Sequence, residues 1–139
     1  MSGQSRSGEG AGHKTSVTAL QFSPDGQTLA TGGNDKTIRF WDVSSLKLTS
    51  TFFGHTDEVT ALAFSPDGGT LASSAADRVT LWNIAAHEEV ASLEGIGGPV
   101  QHMAFSPNGS TLATCARSSQ GLCRVFLWPA ASSELAQSH

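Results

Sequence analysis

One phrase, written three times at nearly constant spacing, constrains this chain more than any other feature. GHKTSVTALQFSPDGQTLATGGNDKTIRFWDV occupies residues 12–43, and GHTDEVTALAFSPDGGTLASSAADRVTLWNI occupies residues 54–84. A frayed third copy, GIGGPVQHMAFSPNGSTLATCARSSQGLCRVFLWPA, occupies residues 95–130. Ser23, Ser65 and Ser106 open the turn common to all three, at steps of 42 and 41 residues. A period near forty marks a repeat architecture, in which each copy is one supersecondary unit.

Each copy reads as apolar runs separated by turns. In the first, Val17–Phe22 is a strand candidate, rich in β-branched and aromatic residues. Ser23, Pro24, Asp25 and Gly26 follow as a type I turn: Pro presets φ at the second position, Ser accepts a local hydrogen bond, and Gly suits the last. Thr28–Gly33 is the next strand, Asn34, Asp35 and Lys36 a tight reversal, and residues 37–43 and 46–53 two further strands. The second copy repeats this as Val59–Phe64, Thr70–Ala75, 79–82 and 90–93. The third keeps Val100–Phe105, the turn Ser106 to Gly109 and a strand over 111–116. It then departs, with an enlarged loop at 117–122, a strand over 125–128, Pro129 in the place of Asp42, and a weak fourth strand at 133–137. Proline cannot donate to a ladder, so the strand before it should end there or lie at an edge. No helical periodicity occurs, and each copy is expected to be a four-stranded antiparallel sheet.

The ordered marks, a Gly-His pair at the front of the first two copies, Ser-Pro-Asp/Asn-Gly in the middle of all three and a Trp near the end of each, followed by Asp42 in the first, resemble those of the WD-repeat family. The resemblance runs from about Gly12 to Ala130. It implies an all-β fold, a partial β-propeller of three four-stranded antiparallel blades at about 12–53, 54–94 and 95–139. Residues 1–11, Gly/Ser-rich and polar, are expected to form a disordered tail. The resemblance also implies a hydrogen-bonded tetrad in each intact blade: His13, Thr31, Asp35 and Trp41 in the first, His55, Ser73, Asp77 and Trp82 in the second. The third copy has Thr114 and Trp128, but Ile96 stands at the histidine position and Ser118 is the nearest match to the aspartate. That blade is expected to be looser and to open first in hydrogen exchange.

Ser, His and Asp together also suggest a hydrolase using Ser73, His55 and Asp77. No nucleophile-elbow pattern accompanies them, and buried polar groups need partners in any case, so an internal network is the stronger reading and no catalytic residue is expected. His87 and His102 have no metal-ligand spacing, Cys115 and Cys123 alone make no zinc pattern, and residues 95–98 are glycine-rich but precede a strand rather than a helix. No metal and no cofactor are expected.

Charged residues are 14% of the chain, the net charge is −4 and the basic residues are scattered singly, which argues against a nucleic-acid partner. No apolar run is long enough to cross a bilayer, and the N-terminus has no signal-like apolar core; with two cysteines read as reduced thiols, a cytoplasmic protein without membrane attachment is expected. A Cys115–Cys123 bridge stays open, since the two fall on neighbouring strands of one hairpin.

The resemblance places partner binding on the rim made by the loops before each inner strand and by the reversals. These are Lys14, Thr15 and Ser16; Thr56, Asp57 and Glu58; Gly97, Gly98 and Pro99; and Asn34, Lys36, Arg78 and Arg117. The expected function is a non-catalytic scaffold that presents these loops to a protein or peptide. Propellers close with about four to eight blades. Three blades make an open arc, closed only by a longer chain, another chain or self-association, and assembly into a ring of copies is the alternative function.

Overall fold

The computed structural model describes residues 13, 15–76, 78–93 and 98–129. Among these there is no helix. Eleven strands form three antiparallel sheets in strict sequence order. Blade one holds β1 (Val17–Phe22), β2 (Thr28–Gly33), β3 (Ile38–Asp42) and β4 (Lys47–Phe52). Blade two holds β5 (Val59–Phe64), β6 (Thr70–Ala75), β7 (Arg78–Asn83) and β8 (Glu88–Leu93). Blade three holds β9 (Val100–Phe105), β10 (Thr111–Arg117) and β11 (Cys123–Pro129). The strand expected at 133–137 and the tail at 1–11 lie outside the described residues. Several boundaries move. β3 and β4 are each trimmed at both ends, and β8 begins at Glu88. β7 takes in Asn83 and Arg78, which pairs with Ala75 rather than sitting in the reversal. β10 carries on through Arg117, which pairs with Cys123 rather than sitting in a loop, and β11 runs from Cys123 to Pro129. β11 ends at Pro129, opposite Thr111, where the ladder loses its donor.

The shared turn is held by its own side chains. Ser65 Oγ donates to Asp67 Oδ1 (2.6 Å) and accepts from Thr70 N (3.0 Å), while Gly69 N donates to Asp67 Oδ1 (2.9 Å). The serine therefore donates as well as accepts. Gly68 closes the turn at φ 75°, a left-handed conformation that costs other residues a Cβ clash. Gly26 and Gly109 do the same in the other blades, at 73° and 76°.

Alternation along each strand gives every blade two faces. Ala30, Ile38, Phe40 and Phe52 of blade one pack on Val59, Leu62, Leu71 and Trp82 of blade two. The opposite face of blade two, with Ala72, Val79, Leu81 and Leu93, packs on Val100, Leu112 and Ala116 of blade three, with Met103, Phe105 and Trp128 beside them. The inner strands touch in series, β1 on β5 and β5 on β9. At Gly32 a Cβ would fall 2.4 Å from Val59 Cγ1, so only glycine lets blades one and two approach this closely. The core thus lies between blades, and each blade is stable only through a neighbour.

Candidate functional site

In blade one the loop before β1 is pinned to the β2–β3 reversal through His13. Its Nδ1 lies 3.0 Å from Asp35 Oδ1, its Nε2 lies 2.7 Å from Thr31 Oγ1, and Trp41 Nε1 donates to that same hydroxyl at 3.0 Å. Donor chemistry orders this chain. The indole can only donate, so Thr31 accepts from it and gives its own proton to His13 Nε2; in the neutral ring Nδ1 then carries the proton and donates to the acceptor-only carboxylate. All four residues serve one relay, in which the Thr31 hydroxyl both accepts from the indole and donates to the imidazole. Thr37 is a fifth member, which the repeat pattern does not single out. Thr37 donates its hydroxyl to Asp35 Oδ1 at 2.8 Å and its backbone N–H to the same oxygen at 3.2 Å. A Thr two residues after an Asp in a tight reversal is the local signal for such a bond. Arg39 adds a weak ionic contact, 3.9 Å from Asp35 Oδ2.

Blade two repeats the relay deeper inside. His55 Nε2 lies 2.6 Å from Ser73 Oγ, and Trp82 Nε1 donates to that oxygen at 2.8 Å. Asp77 lies outside the described residues. Burial of His55, with the Arg78 charge adding repulsion, depresses its pKa from 6.5 to about 4, so the ring is neutral near pH 7. Ser73 has no exposed surface. A nucleophile must reach a substrate, and this hydroxyl is committed on one side to an indole and on the other to an imidazole.

In blade three only the last link is present among the described residues: Trp128 Nε1 donates to Thr114 Oγ1 at 3.1 Å. Ser118 does not reach this pair. Its hydroxyl accepts from Gln120 N and Leu122 N, both at 3.3 Å, and so organises its own hairpin turn. Cys115 and Cys123 stand as free thiols on β10 and β11, and the hydrogen bond between them pushes the Cys115 pKa up.

The loops of all three blades converge on one rim, because β1, β5 and β9 begin where β2, β6 and β10 end. In blades one and three the loop is tied to its neighbouring reversal by a main-chain bond, Asn34 N to Ser16 O and Arg117 N to Pro99 O, both 2.9 Å. Thr15, Ser16, Asn34, Lys36, Thr56, Asp57, Glu58, Arg78, Pro99 and Arg117 are exposed there and Gly98 is half-buried. Lys14 and Gly97 lie outside the described residues. Gly98, at φ 139°, sits so close to the Arg117 carbonyl that a Cβ would fall 2.1 Å from its oxygen.

The three repeats match the family model for the WD domain, G-beta repeat, at residues 6–42, 46–83 and 87–126. The chain belongs to the WD40-repeat family. Two solved WD40-type chains share its fold. A chain in the crystal structure of a mitotic checkpoint complex superposes with a TM-score of 0.77 at 26% identity, over 88% of this chain and 38% of that one. The WD40 repeats of RRP9 give a TM-score of 0.79 at 24% identity, over 89% and 38%, a likeness of fold alone. Among curated relatives, the B-type cell cycle switch protein ccs52B of Medicago truncatula is 56% identical over 32 residues, which is 23% of this chain and 7% of that protein. This WD40 chain therefore spans well under two thirds of the proteins it matches, and its open arc of blades corresponds to part of their propellers.

Proposed function

We propose that this WD40 arc is a non-catalytic interaction module that presents its loop rim to a protein or peptide. The observation that supports this most directly is the coupling of exposed, chemically varied rim residues to a buried framework. Lys36, Asp57 and Glu58 stand at the surface on loops of blades one and two that His13 and His55 hold from below, and the exposed Arg117 of blade three is fixed by its main-chain bond to Pro99. Loops fixed on a rigid sheet lose little entropy on binding, which is how such scaffolds gain affinity from short contacts. The sealed position of Ser73 supports the non-catalytic part of the reading. The partnership of the mitotic checkpoint chain with other proteins, evident from its assembly's name, supports a protein as the class of partner.

The experiment is affinity capture with quantitative mass spectrometry, comparing the wild type with Lys36→Ala, Glu58→Ala and Arg117→Ala. A rim-bound partner is lost from at least one variant while the thermal unfolding midpoint stays unchanged. Capture that is indifferent to all three rim substitutions overturns the assignment.

A further inference from the structure

The chain makes one kind of interface twice, and among the described residues both of its halves are exposed at the ends of the arc. Blade two meets blade one through Leu62, Phe64, Leu71 and Trp82. The register-equivalent residues of blade one are Leu20, Phe22, Leu29 and Trp41, identical at all four positions. Leu62 is 5% exposed and Leu20 is 61% exposed. The difference is only that nothing among the described residues covers blade one. At the other end, blade two meets blade three through Ala63, Ala72, Val79 and Leu81. Blade three carries Ala104, Ala113, Val125 and Leu127 at those positions, again identical, yet Leu127 is 70% exposed where Leu81 is 1%.

A cavity of about 320 Å³ over Trp41, lined also by Phe22, Leu29, Val43 and Leu46, marks the same vacancy. On blade two the corresponding Trp82 and His87 are capped by Phe52 of blade one, with ring centroids 5.1 and 5.2 Å apart. Leu46 and His87 occupy the same turn position with nearly the same backbone, φ 60° and 57°. The cavity is therefore the seat that a preceding blade fills.

We propose that the bare face of blade three in one copy docks on the bare face of blade one in a second copy, and that two such junctions close a six-bladed ring. Over the described strands the two faces carry the complementary residues of a contact the chain already forms internally, so the contact is head-to-tail and its rotation is the one that propagates a propeller. Two copies give six blades, within the four-to-eight range of closed propellers, whereas three copies give nine. This assembly uses the blade ends and leaves the loop rim free, so it is independent of the rim-binding function.

The test is sedimentation velocity of the 139-residue chain from about 1 to 100 μM, since a dimer is concentration-dependent. The expected species is two chains in mass. Cys115, which lies on the docking face at the position of the fully buried Ser74, should become alkylated more slowly as concentration rises. Leu20→Asp and Leu127→Asp each leave one face intact, so each alone sediments as a monomer and an equimolar mixture recovers a two-chain species. A folded wild-type monomer across the range overturns the proposal and assigns both faces to blades elsewhere. Three-chain or open-ended species overturn the two-copy ring, and a mixture that stays monomeric overturns the head-to-tail pairing. The wild-type mass decides the matter even where a variant fails to fold.

Discussion

Removing the buried hydroxyl at one position of each blade gives a graded series that tests whether the polar relay is structural. Ser73→Ala, Thr31→Val and Thr114→Val each delete a hydroxyl with little change of shape. In blade two the deletion strands Trp82 Nε1–H and His55 Nε2, both in buried side chains. Each orphaned buried group costs about 1–3 kcal/mol, and partial relaxation brings the pair to about 3 kcal/mol. In blade one the same two groups are stranded; the His13 ring is buried as well, its side chain 1% exposed, but Trp41 is half-buried and water can reach its indole, which lowers the cost to about 2 kcal/mol. In blade three only the half-buried Trp128 loses an acceptor, a loss of about 1 kcal/mol. The assay is urea unfolding followed by tryptophan fluorescence and far-UV circular dichroism, at one fixed protein concentration because assembly shifts the midpoint. A Ser73→Ala variant within about 0.5 kcal/mol of wild type, the range of an ordinary surface change, refutes the relay. So does a Thr114→Val variant that costs as much as Ser73→Ala.

Three other outcomes follow from the same geometry. Because the folded-state pKa of His55 is depressed to about 4 from 6.5, the unfolded chain takes up that proton first as pH falls. Stability is then full above pH 6.5 and declines between 6.5 and 4, by about 2 kcal/mol once residual solvation is allowed for; urea midpoints at pH 7 and 4.5 measure it, and a flat profile, or one unchanged in His55→Gln, contradicts the burial argument. Asn108 holds its turn through an amide oxygen, accepting from Ser106 Oγ at 2.8 Å and Ser110 N at 3.0 Å, as Asp67 does through a carboxylate. Asp67→Asn should therefore keep the wild-type melting temperature at pH 7 while Asp67→Ala lowers it. The turn also holds the Asp67 carboxyl below its usual pKa, so its stabilisation is present above that usual value and fades as pH falls through the depressed one, a loss that Asp67→Asn removes. Gly98→Ala drives a Cβ into the Arg117 carbonyl at a φ that L-residues rarely adopt. It should cost more than about 1 kcal/mol and speed hydrogen exchange at the amide of Arg117, which bonds to Pro99 O.

Much of the fold was legible because the signals are local. The Ser-Pro-Asp-Gly turn is closed by bonds between residues no more than five apart, and the strands on either side follow from β-branched and apolar composition. The relay residues could be named in advance because the same types recur at the same offsets and because the family resemblance groups them. Thr37 was not named, since nothing in the second copy repeats it: the residue two places after Asp77 is Val79. The donor order inside the relay was also beyond the sequence, because it depends on which groups face each other across 10 to 22 residues of chain.

The limit of the sequence shows best in two strands that are nearly the same string. VTALQF of β1 and VTALAF of β5 share turn, register and alternation, and their residues alone determined that both would be inner strands of a blade. Whether Leu20 or Leu62 is buried was not written there. Burial is set by what stands on the far side of the sheet, so the packing of blade one on blade two, and the open face beyond blade one, were decided only by the tertiary arrangement.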